Sequence, residues 1–94
     1  MPRQIHPTEA MRLDPLAMEL LAAAYANQAA TGEPLDWRAW ARQADYPEDD
    51  VRRAFTELND RYLIESCRGC MRLRPAGIRL VETEGQVDAE SRRR

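Results

Sequence analysis

The stretch PEDDVRRAFTELNDRYLIESCRGCMRLRPAG, Pro47 to Gly77, sets the order of elements from which the rest of the chain is read. Its first half places apolar residues at Val51, Ala54, Phe55, Leu58 and Tyr62, spaced i, i+3, i+4, i+7 and i+11. That spacing predicts a helix with one buried stripe. Pro47 suits the first helical position, where its missing donor costs nothing. The outward face then holds Asp49, Arg52, Arg53, Thr56, Asn59 and Asp60. Leu63, Ile64 and Glu65 begin a strand, Arg68-Gly69 turns it, and Met71 to Arg74 alternate apolar and basic as a half-buried return strand does. Met71 and Leu73 are expected to face a core, and Arg72 and Arg74 solvent. Pro75-Ala76-Gly77 leads into Ile78, Leu80 and Val81, a short last strand or helix.

Upstream, Asp14 followed by Pro15 is a helix start, an N-cap and then a proline that needs no partner for its nitrogen. The helix is expected to run to about Thr31 and stop at Gly32. Leu16, Leu20, Leu21, Ala24 and Tyr25 form its core-facing stripe, and the Ala22 to Ala24 run permits close approach of another helix. Glu33-Pro34-Leu35 is a short extended link, and Asp36 caps a helix over Trp37 to Ala44. Trp37, Trp40, Ala41 and Ala44 share a face there. Both tryptophan rings fill a core on one reading, whereas on another Trp37 anchors a protein partner, as exposed tryptophans do at interfaces. Residues 1–13 read as an N-terminal arm, 14–84 as one folded domain, and 85–94 as a flexible tail.

Ninety-four residues make a single domain. Its fourteen basic residues are all arginine, against sixteen Asp and Glu, for a formal charge of -2. The absence of lysine reflects a GC-rich prokaryotic genome more readily than a function. The charge is unevenly placed. From Pro47 to Asp60 five acids (Glu48, Asp49, Asp50, Glu57, Asp60) oppose Arg52 and Arg53, a net of -3, while from Arg61 to Arg74 four arginines oppose Glu65, a net of +3. Acids in a first helical turn stabilise it by about 0.3 to 1 kcal/mol each through the helix dipole, and they also repel phosphate. No apolar run approaches the ~18 residues of a membrane span, and the first residues lack the apolar region of a signal peptide. A soluble, cytoplasmic protein with no membrane contact is expected.

Cys67 and Cys70 flank the Arg68-Gly69 turn. Three readings stand side by side: two ordinary reduced thiols, a reversible redox pair in the electropositive setting of Arg68, Arg72 and Arg74, or part of a zinc site. Zinc usually takes four protein ligands, so that site would need a second subunit or His6. No metal or other cofactor is expected. With a single histidine, and serine only at Ser66 and Ser91, no nucleophile, base and orienting acid can be assembled, and no glycine-rich phosphate loop is present. The chain is not expected to be an enzyme.

The segment from Asp36 to Val81 resembles the winged helix-turn-helix domains of prokaryotic transcription regulators of the broad MarR-like and PadR-like kind. In these, a leucine-rich recognition helix ends in a Gly-Leu-Ile-like step, followed by a hairpin wing and a Leu-Thr-Pro-x-Gly-like exit. The corresponding places here read Tyr62-Leu63-Ile64 and Leu73-Arg74-Pro75-Ala76-Gly77. The chain departs from the pattern at Tyr62, where the family often has glycine, and at Glu48-Asp49-Asp50, where it usually has Ser, Thr or a basic residue. The resemblance implies a mainly α fold with a small β-hairpin wing (α+β), three core helices plus wing. It implies a recognition helix over about 47–62, a wing over about 63–74, and a homodimeric transcription regulator that binds double-stranded DNA. It also implies base contacts at Arg52, Arg53, Thr56 and Asn59 and phosphate contacts at Arg68, Arg72 and Arg74. The alternative from charge alone is a protein-interaction module that docks a partner on the acidic face of the third helix.

Overall fold

A computed structural model describes residues 13–92, with side chains through residue 83, and these residues form four helices and a three-stranded antiparallel sheet. The order is α1 (Pro15–Thr31), β1 (Leu35–Asp36), α2 (Trp37–Gln43), α3 (Glu48–Asp60), β2 (Ile64–Cys67), β3 (Cys70–Leu73) and α4 (Pro75–Arg92). This is the expected winged-helix layout, mainly α with a small β component. Residues 1–12 of the expected N-terminal arm, and with them His6, lie outside the described residues.

The caps follow the sequence. The Asp14 carboxylate accepts from the Leu16 amide at 3.1 Å and Pro15 opens α1, which closes where Gly32, at φ 75°, donates to the Gln28 carbonyl at 2.8 Å. Asp36 accepts from the amides of Arg38 and Ala39, both at 3.1 Å, and so starts α2. Pro47 is the N-cap of α3 and not its first helical residue, and it offers no side-chain hydrogen bond. Glu48, Asp49 and Asp50 fill the first turn, so the helix dipole is met by charge where a capping side chain is missing.

The core is one cluster drawn from every layer: Ala17, Leu20, Leu21 and Ala24 of α1, Trp37 and Ala41 of α2, Val51, Ala54 and Leu58 of α3, and Leu63, Ile64, Met71 and Leu73 of the hairpin, with Leu13 at its edge. Phe55 and Tyr25 pack against it while partly exposed. Tyr62 breaks the expected stripe, being 72% exposed. The helix ends before it, and Tyr62 adopts φ 58°. The amides of Tyr62 and Leu63 donate back to Asn59 and Leu58 at 3.1 Å each, a Schellman closure whose apolar contact joins buried Leu63 to buried Leu58. The left-handed turn thus sends Leu63 inward and Tyr62 out. Asp45, at φ 62°, closes α2 in the same manner, with bonds from Asp45 and Tyr46 to Arg42 and Ala41.

The expected extended link at Leu35 is a short strand that pairs with β3, Leu35 opposite Met71 and Asp36 opposite Cys70, so β3 is central and the wing belongs to a three-stranded sheet. Beyond the end of β1 the Leu73 amide has no strand partner, and the Gln28 side chain of α1 accepts from it at 3.2 Å. The last element is a helix, and it extends through residues 85–92 of the segment expected as tail. Its entry is tight. The Arg74 amide donates to the Leu63 carbonyl at 3.0 Å, and a Cβ built on buried Gly77 would run into that same oxygen. Glycine is therefore required where α4 crosses the end of α3.

Candidate nucleic-acid interface

The sequence-predicted contacts lie on two elements, the outer face of α3 and the wing. On α3, Arg52, Arg53, Thr56 and Asn59 are all exposed, because Val51, Ala54 and Leu58 turn the opposite face inward. Two of the four are engaged. Arg52 donates to Glu48 at 2.8 Å, one helical turn back, and Arg53 to Asp50 at 3.1 Å. Both pairs place the acid N-terminal to the base, the favourable order on a helix.

Glu48 is the centre of a larger cluster. Arg38 of α2 reaches the same carboxylate oxygen at 3.9 Å. The guanidinium groups of Arg38 and Arg52 stand over the Trp37 ring at 4.9 and 5.9 Å from its centroid. Trp37 in turn stacks on Phe55 with centroids 5.3 Å apart and planes 20° apart. Only 3% of Trp37 is exposed, so the reading of it as a partner anchor is overturned; the core reading holds for Trp37 but not fully for Trp40, which is partly exposed at the core's edge against Tyr46. Arg38 was not among the candidates. Its pairing joins two helices, a contact that no spacing within one helix reveals, although the i, i+4 relation of Glu48 to Arg52 was readable.

Arg53 faces the other flank. With Asp14, Leu16, Asp50, Ala54 and Glu57 it lines an open cleft of about 380 Å³ between α3 and the start of α1. Its surroundings there are carboxylates.

The ion pairs are weak restraints. Arg52 and Glu48 are about half exposed, Arg53 more so. Exposed i, i+4 pairs contribute about 0.3 to 0.5 kcal/mol, so a phosphate can displace either carboxylate from its arginine. The carboxylates nevertheless remain in place, and Asp49 and Asp60 are exposed beside them.

On the wing, β2 and β3 pair in register, Ile64 with Leu73, Glu65 with Arg72, Ser66 with Met71 and Cys67 with Cys70. Alternation puts Met71 and Leu73 into the core and Arg72 outward, as expected, with Glu65 across from it. Arg68 occupies the turn at φ 48°, followed by Gly69 at φ 81°, the two positive angles of a type I′ hairpin. Arg74 is anchored at the base, its Nε donating to the Ile64 carbonyl at 3.0 Å. Cys67 and Cys70 are free thiols, the first exposed and the second half-buried, and among the described residues no group of three or more His, Cys, Asp or Glu could hold a metal ion.

Two phenols fasten α1 to its neighbours. Tyr46, in the turn before α3, donates to Glu19 of α1 at 2.7 and 3.0 Å, and Tyr25 donates to Glu82 of α4 at 3.0 Å. The hydrogen bond to a carboxylate, in each case, raises the phenol above its usual range, aided by the nearby negative charge and desolvation. No helix among the described residues is long and apolar enough to cross a membrane. Comparison with family models, with curated proteins and with solved structures returned no match for this chain.

Proposed function

We propose that the chain is a small prokaryotic, cytoplasmic winged-helix regulator that binds double-stranded DNA through α3 and the wing, as a homodimer. The observation that carries this reading is the exposure of Arg68 and Arg72 on a hairpin seated by buried Leu63, Ile64, Met71 and Leu73 directly after a helix that presents Thr56 and Asn59 to solvent. Phosphate attraction then comes mainly from the wing, because the acids of α3 offset Arg52 and Arg53. The exposed alanines Ala22, Ala26 and Ala29 along α1 offer the flat surface a second copy needs.

A second reading, a protein-interaction module, draws support from the same helix. Glu48 and Asp50 hold both arginines, and Asp49 and Asp60 stand exposed on the outer face with no ion pair among the described residues.

Fluorescence anisotropy with labelled duplex DNA across a salt series separates the two. Under the regulator reading, affinity falls with salt at a slope of about 0.9 per phosphate neutralised, and Arg72→Ala lowers that slope by about one contact. Absence of binding even at low salt would overturn it in favour of a protein partner on α3.

A further inference from the structure

We infer that Cys67 and Cys70 are a modification site: a dithiol at the tip of the wing that a hydroperoxide converts to an intrachain disulfide. The two residues are directly paired across the β2–β3 ladder and close a two-residue turn. The residues that close such a loop form a hydrogen-bonded pair with Cα atoms about 5.5 Å apart. Disulfides span Cα separations of about 4.4 to 6.8 Å, so the backbone spacing suits a crosslink, and closure has only to draw the two Cβ atoms from about 5 Å to about 4 Å. Alternation settles the orientation as well. Ser66 pairs with Met71, whose side chain is fully buried, so the next pair, Cys67 and Cys70, projects together from the opposite, outer face of the hairpin.

The two thiols are unequal in access, which gives each a role. Cys67 is exposed and Cys70 half-buried beside Asp36 of β1. The Cys67 thiolate attacks one peroxide oxygen, the O–O bond breaks, and the sulfur becomes a sulfenic acid while the other oxygen leaves as water or alcohol. The Cys70 thiolate then attacks that sulfur and displaces its hydroxyl as water. Two thiols are oxidised by two electrons, one peroxide bond is reduced, and the two thiol protons end in the released oxygens. A dithiol reductant reverses the reaction by exchange.

Metal binding is the weaker use of the pair. Two thiolates fill half of a tetrahedral shell, and no third His, Cys, Asp or Glu joins them among the described residues. The disulfide needs no further protein ligand, only the two opposed sulfurs and the peroxide that oxidises them.

The sequence supplies a clean assay, because Arg68 lies between the cysteines. The full chain is treated with hydrogen peroxide, alkylated, unfolded and digested with trypsin, then analysed by mass spectrometry. Cleavage after Arg61, Arg68 and Arg72 places Cys67 on the peptide Tyr62–Arg68 and Cys70 on Gly69–Arg72. The proposal expects the intact monomer to lose the mass of two hydrogen atoms, the two peptides to appear joined, and dithiothreitol to separate them. In Cys70→Ser the Cys67 sulfenic acid has no resolving partner, so it is expected to proceed to sulfinic acid or to couple between chains. Separate, alkylated peptides after peroxide would overturn the proposal. So would crosslinks found only in covalent dimers, or protein whose cysteines are shielded from peroxide by zinc until a chelator is added.

Discussion

Tyr62 occupies a backbone position that glycine fills without strain, at φ 58°, while its ring packs against little, being 72% exposed. Left-handed backbone costs a residue with a Cβ about 1 kcal/mol, and an exposed ring returns little of that by burial. Tyr62→Gly is therefore expected to raise stability by about 0.5 to 1 kcal/mol, read as a higher urea midpoint at unchanged slope. A lower midpoint would mean that the ring stabilises the fold through a contact with the chain. Gly77 presents the reverse case. Its Cβ would meet the Leu63 carbonyl, backbone that is already held by the Arg74 amide, so Gly77→Ala is expected to cost about 1 to 3 kcal/mol and to lower the thermal midpoint. The glycine in Leu73 to Gly77 was readable as part of a pattern. Its reason, a helix pressed against another helix's end, appears only in three dimensions.

Among the elements, α3 is where fold and charge diverge. Its three first-turn acids stabilise a helix that has no capping side chain, and two of them hold the arginines that a winged helix would turn toward bases. Replacing Glu48 and Asp50 together by Gln and Asn removes two repulsive charges and releases Arg52 and Arg53. Under the regulator reading, DNA affinity rises several-fold and the salt slope steepens by one to two contacts, measurable by anisotropy. Unchanged affinity would place α3 away from the phosphates. The same variant loses dipole stabilisation of about 0.3 to 1 kcal/mol per charge, so its thermal midpoint falls even as binding improves. Element identity was legible wherever the signal was local: Asp14, Asp36 and Gly32 announce their helix ends, and Arg68-Gly69 announces the turn. The strand β1 was not, since a two-residue segment becomes a strand only by pairing with Met71 and Cys70 far along the chain. Tyr62 was misplaced because helical spacing continues past the point where the helix itself stops. The interface candidates were found as exposed positions, but the Arg38, Glu48 and Trp37 cluster joins two helices and leaves no mark on either one alone.

At the scale of the whole molecule, α1 is the spine to which the other parts are fastened, by Gln28 to the sheet, by Glu19 to the turn before α3, and by Tyr25 to α4. Two of these fastenings titrate. The phenols of Tyr25 and Tyr46 lose their protons at higher pH in the folded chain than in the unfolded one, because each donates to a carboxylate. Their contribution is thus complete below about pH 10, the ordinary phenol value, and is lost as pH climbs from there through the raised folded values. Urea midpoints are expected to hold between pH 7 and 9 and to fall above about pH 10, with a shallower fall in the Tyr25→Phe, Tyr46→Phe double variant. An equal fall in that variant would assign the alkaline loss to other groups. Trp37, stacked on Phe55 and within cation–π reach of two guanidinium groups, has a further use. An indole's emission responds to a cation held over its face, so the protein carries its own optical probe. Any ligand that draws Arg52 away from Glu48 also draws it off that ring, and the event can be timed in a stopped-flow instrument without attaching a dye.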